Sequence, residues 1–114
     1  MQDYLYLFRG GDMAAAGLTT PEKMQQHMER WGAWWGSLGA QGALKGGAPL
    51  ENGGKIVKSA KGPITDGPFA EAKDLVSGYG VIAAKDIATA AEMARGCPMY
   101  EVGGYVEVRP LRAM

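Results

Sequence analysis

His27 and Asp66 are the side chains of this sequence best suited to proton chemistry, and each also has an ordinary structural use. His27 is the sole histidine. It lies in "PEKMQQHMERWGAWW", four residues before Trp31 and seven before Trp34, at the edge of a helical apolar stripe. A histidine there can close the rim of a core with one hydrogen bond. To act as an acid or base it needs a partner that sets its tautomer and charge, usually a carboxylate. Asp66 opens "DGPF", where Gly67 frees the backbone and Pro68 fixes φ. An Asx-turn explains the aspartate there, but not the phenylalanine and charged residues that follow in "DGPFAEAKD". Trp31, Trp34 and Trp35 are ordinary core residues by type. Three tryptophans within five positions nonetheless exceed what a helix of this length needs, and they suit an aromatic-walled pocket.

Other chemistries find little support in the sequence. "GYGVIA" fits G-x-G-x-x-A formally, but it falls inside a predicted strand, where a dinucleotide loop cannot form. No phosphate loop, nucleophile elbow or H-E-x-x-H motif occurs. Cys97 is the single cysteine, so it belongs to no disulfide framework and no zinc-ligand spacing, and a buried structural thiol is expected. No metal and no cofactor is expected. Twelve basic and twelve acidic side chains cancel, and no basic stripe marks a nucleic-acid surface. Lys55, Lys58 and Lys61 read as a solvated strand edge. The N-terminus lacks an apolar export segment, and no run reaches the roughly 20 apolar residues that span a bilayer. A cytoplasmic setting is expected.

The elements that must position these groups follow from periodicity. With 114 residues, 46% apolar, the chain makes a single domain over residues 1–114. "YLYLFRG" is a strand, with Tyr4, Tyr6 and Phe8 on one side and Leu5 and Leu7 on the other. A helix begins at Thr20 as N-cap with Pro21 in its first turn, and Gly42 stops it. Its predicted buried stripe is Met24, Met28, Trp31, Trp35 and Leu38. "LKGGAPL" and "KIVKSA" read as strands joined by a hairpin turn at "ENGG". "GYGVIAAK" is a further strand. Asp86 caps a helix with a narrow face of Ile87, Ala90, Ala91 and Ala94, and "GGYVEVRPL" is the last strand. The order β-α-β-β-α-β, with room for one extra short strand, is α+β and ferredoxin-like. Helices cover one face of such a sheet. Strands apolar on both faces would then leave rings exposed unless a second copy covered them, so a homodimer is expected.

"TDGPFAEAKDLVSGY", with "FRGG", "PEKMQQHMERWGAWW", "LKGGAPL", "ARGCP" and "VEVRPL", resembles the YCII-related, or DGPF-domain, family over nearly the whole chain. Asp74 stands where that motif usually has glutamate, and Ser77 where glycine is common. The resemblance implies a dimeric α+β barrel. It also implies a cleft in which His27 acts as acid or base and Asp66 orients it. Trp31, Trp34, Phe69 and Tyr79 would then contact the substrate. The implied function is a small-molecule enzyme or binder, with isomerase- or lyase-type proton transfer as the candidate chemistry. The alternative is a non-catalytic ligand sensor, or an accessory protein associated with an extracytoplasmic-function sigma factor.

Overall fold

The computed structural model describes residues 1–68 and 71–113. Strands β1 (Gln2–Arg9), β2 (Leu44–Pro49), β5 (Val76–Ala84) and β6 (Tyr105–Pro110) form one antiparallel sheet in the order β2-β5-β1-β6. Helices α1 (Pro21–Ala40) and α2 (Ile87–Met93) complete the ferredoxin-like arrangement. Between β2 and β5 the chain makes a separate hairpin of β3 (Lys55–Val57) and β4 (Ile64–Asp66). The expected β2–β3 hairpin across "ENGG" does not form. β2 pairs with β5 instead, and β3 pairs with β4, a short strand that the sequence did not lead us to expect. Among the described residues, no helix is long and apolar enough to cross a membrane.

β1 sits at the centre of the sheet because its alternation supplies both faces. Tyr4, Tyr6 and Phe8 are buried toward the helices, while Leu5 and Leu7 lie on the other side, half-buried. The aromatic rings therefore build the core. The face left without helices carries Leu5 beside Val81 and Leu7 beside Tyr79. The Tyr6 hydroxyl donates to the Ala90 carbonyl at 2.5 Å and so ties β1 to α2. Burial, with the nearby Cys97 and Tyr100 adding to it, pushes that phenol up to about 12, and it stays a donor.

Local rules set the ends of α1. The Thr20 hydroxyl accepts from the Lys23 N–H at 3.2 Å, with Pro21 following in the first turn. At the other end Gly42 takes φ +70°, a left-handed conformation that lets its N–H and that of Ala43 return to Gly39 and Leu38. The buried residues of α1 are His27, Trp34 and Leu38, whereas Trp31 and Trp35 are half-buried and Met24 and Met28 exposed. The predicted stripe is thus turned by about one position. The core lies under Trp34, which stacks on Tyr6 with centroids 5.9 Å apart and donates from Nε1 to the Met93 carbonyl. On α2, Asp86 accepts from the Thr89 N–H as a cap. The packed face of α2 is Ala90 and Met93, continued by Ala94 just past its end, with Ile87 and Ala91 outward.

Truncating the residue at the centre of this packing should cost most. Trp34→Ala is expected to lose about 3–5 kcal/mol of stability. Met28→Ala, at an exposed position, should stay within about 0.5 kcal/mol of the wild type. Urea denaturation of the two variants checks the corrected phase of α1.

Candidate functional site

Where the predicted stripe of α1 turns away from the core, it walls a cavity. The cavity encloses about 530 Å³, with Met28, Trp31 and Trp35 from α1 on one side and Phe8, Pro49 and Gly78 from the sheet on the other. Met13, Met99 and Val102 close its end. Its surface is almost entirely apolar, and its size is that of a small-molecule pocket. The glycines of "GYG" make this space. A Cβ on Gly80 would stand 2.7 Å from the Trp35 ring, so only glycine lets that indole lie on β5. Phe8 meets the edges of Trp31, Trp34 and Trp35 at centroid distances of 5.0, 6.0 and 5.9 Å. Edge-on contacts of this kind are a favoured geometry for aromatic pairs.

His27 is the titratable residue in this wall, only 3% exposed. The Trp31 indole Nε1 donates to His27 Nε2 at 3.0 Å. An indole N–H can only donate, so Nε2 must carry the lone pair and the proton of the neutral ring sits on Nδ1. Nδ1 is buried without a hydrogen-bond partner among the described residues, and faces Glu101 Oε2 at 3.7 Å. The other Glu101 oxygen accepts from Arg30 Nε. The Trp31 bond therefore sets the tautomer of the ring, while Glu101, held by Arg30, lies near its other nitrogen.

Among the described residues, no hydrogen bond or ion pair joins His27 to Asp66, its expected partner. Within one chain Asp66 ends β4, 87% exposed at its side chain, and its Oδ1 holds Lys55 Nζ at 2.5 Å. Its backbone position in the β3–β4 hairpin turns the carboxylate across to Lys55, while the carboxylate at His27 is Glu101. Gly67 and Pro68 instead line a second cavity of about 490 Å³. That cavity adjoins the first through Gly10, Gly11 and Ser77. It is more polar, with Arg9, Lys55 and Asp74 in its walls. Arg9 donates to Glu107 at 2.7 Å and to the Asp74 carbonyl at 2.8 Å, and Tyr105 donates to the Asp74 carboxylate at 2.9 Å. The hydrogen bond from Arg9, with another from Arg109, pulls Glu107 below its ordinary value. The bond to Asp74 raises the Tyr105 phenol.

Of the four expected substrate contacts, Trp31 lines the apolar cavity. Trp34 lies behind it in the core, and Tyr79 points to the open face of the sheet because Gly78 and Gly80 take the inward positions of β5. Phe69 lies outside the described residues. Trp35, one of the three tryptophans expected to suit an aromatic-walled pocket, lines the cavity, whereas sequence reasoning missed Phe8, Met99 and Glu101 at this site. Phe8 was read only as one face of the first strand, and nothing in "GCPMYEV" signals that Glu101 returns to α1. Among the described residues, no three His, Cys, Asp or Glu side chains cluster as metal ligands would.

The model of the YCII-related domain matches residues 5–114 of the chain. Among solved structures, the fold is similar to that of 5-chloro-2-hydroxyhydroquinone dehydrochlorinase (TftG) from Burkholderia phenoliruptrix AC1100, in complex with 2,5-dihydroxybenzoquinone. The TM-score is 0.55 at 12% identity, covering 98% of this chain and 95% of that one. A search of curated proteins gives no significant match.

Cys97, expected to be a buried structural thiol, is 3% exposed, and burial pushes its thiol up to about 12. The thiolate is the reactive form, so the native protein at pH 8 should resist iodoacetamide. Mass spectrometry should show one modification per chain after unfolding in urea, and essentially none before.

Proposed function

The chain belongs to the YCII-related domain family, and from that premise we infer that it binds a flat, mainly apolar small molecule in the cavity between α1 and the sheet. The observation that carries this reading is the cavity itself. It holds about 530 Å³ between indole, phenyl and methionine side chains and has few polar atoms to satisfy. Methionines at the rim adapt to different outlines, which suits a ring with varied substituents. The similar fold of TftG, which its structure shows with a quinone, supports the same class of ligand.

A magnitude follows from area. Burying roughly 200 Å² of a bicyclic ring at about 25 cal/mol per Å² gives about 5 kcal/mol. The corresponding Kd is about 0.1–1 mM, and polar contacts from the adjoining cavity would tighten it. Acid–base catalysis by His27 toward a ligand would require Nε2 to leave Trp31 first. The binding role needs no such step.

The same reading includes a homodimer through the open sheet face. Leu5, Leu7, Tyr79 and Val81 form an apolar strip there, with Tyr79 38% exposed. The radius of gyration, 15.7 Å, exceeds the roughly 13 Å of a compact chain of this length. The projecting β3–β4 hairpin also shows Val57 and Ile64, a cross-strand pair, to solvent. An isolated two-stranded hairpin is marginal in water, and a second copy would cover both surfaces.

Two measurements test these points. Titration of tryptophan fluorescence with 2-naphthol and with 2,5-dihydroxybenzoquinone should show saturable quenching. Trp31→Ala should weaken it at least tenfold, while Asp66→Asn leaves it unchanged. Unchanged affinity in Trp31→Ala would refute the site. Light scattering should give twice the chain mass, over an interface above roughly 1,000 Å² in total. Leu7→Glu should return the protein to monomers.

A further inference from the structure

We propose that His27 is a positioning residue for the ligand cavity: its neutral Nε2 holds the Trp31 indole in the cavity wall, and its protonation releases that indole. The proposal rests on the cavity being the ligand site, and adds how one wall of that site is set and unset.

The bond concerned runs from Trp31 Nε1 to His27 Nε2, 3.0 Å long, with the two rings edge-on at 87°. Its direction is forced, because indole has no acceptor. A proton added to the imidazole goes to Nε2, the site that accepts from Trp31. Two N–H groups then face each other where one hydrogen bond stood. The opposite side of the ring favours that change, since Nδ1 faces Glu101 Oε2 at 3.7 Å, close enough for a small shift to make a charged hydrogen bond. Arg30 keeps its hold on the other oxygen of Glu101. Lys23 and Arg30, one turn away on α1, oppose the added charge, and Glu101 favours it.

Trp31 packs on Phe8, Trp34 and Trp35, with centroids 5.0, 5.8 and 6.3 Å away. An indole released from His27 therefore alters the wall a ligand rests on. His27 is 3% exposed and itself part of the cavity wall, and its bond to Trp31 couples its state to that indole.

NMR on ¹⁵N-labelled wild-type protein tests this without a ligand. At pH 8 the neutral His27 ring should carry its proton on Nδ1. On lowering the pH to 5, the Trp31 indole N–H signal should move upfield with the same midpoint as the His27 ring nitrogens. In parallel, affinity for 2-naphthol, whose hydroxyl stays neutral in this range, should fall at least threefold. His27→Gln places a carbonyl acceptor near the Nε2 position and cannot titrate. Whatever its affinity at pH 8, it should show no change in 2-naphthol binding between pH 8 and pH 5. A proton on Nε2 in the neutral ring, a Trp31 signal that ignores the His27 titration, or a retained pH dependence in His27→Gln would each overturn the proposal. Failure of 2-naphthol to bind at any pH would count against the cavity reading, while the two NMR titrations still decide the His27–Trp31 bond.

Discussion

The contact between the inward aromatic side of β1 and the tryptophans of α1 is the constraint on which the molecule is built. Trp34 stacks on Tyr6 and is pinned by its indole N–H to the Met93 carbonyl, so α1 is held at a fixed height over the central strand. Buried aromatic surface makes that contact strong, and edge-to-face geometry makes it directional. With the height fixed at Trp34, the sheet beneath decides what happens one turn to the side. There β5 offers Gly78 and Gly80, which cannot fill the space, and Trp35 is drawn down onto the strand. The cavity is what remains between a helix set by Trp34 and a strand without side chains.

That origin explains the near absence of polar groups in the cavity and the position of its one imidazole. His27 is carried on the same buried line of α1 as Trp34 and Leu38, so it enters the protein as a core residue. Burial obliges it to find partners, and the nearest are an indole N–H and a carboxylate already committed to Arg30. The indole bond alone defines the tautomer of the ring. Its one lone pair belongs to the wall and not to the lumen, so the residue best suited by type to proton transfer is arranged to hold another side chain.

Much of this was legible in the sequence. The caps at Thr20 and Asp86, the stop at Gly42 and the strand alternation of residues 2–9 are local, and local rules placed them. The phase of α1 was not. Met24, Met28, Trp31 and Trp35 have the spacing of a core stripe, but apolar spacing does not distinguish a surface packed on protein from one that borders a cavity. Pairing of β2 with β5 is long-range and leaves no mark beside "ENGG", whose two glycines suggested a nearer partner. Glu101 was hidden for the same reason, since its contact with His27 joins segments far apart in sequence. The aspartate of "DGPF" was singled out for the residues that follow it, not for its own partners. Its turn lines the polar cavity next to the apolar one, while its carboxylate faces Lys55.

The central claim is that a flat ligand occupies the space between α1 and the sheet, and contacts between ligand and protein protons test it most directly. Nuclear Overhauser spectra of the 2-naphthol complex should join the ligand ring protons to the methyl group of Met28, the ring of Phe8 and the indole of Trp31, all of which line the cavity. Contacts confined to Leu7 and Tyr79 on the open sheet face, or to Val57 and Ile64 on the hairpin, would place the ligand elsewhere and contradict the account.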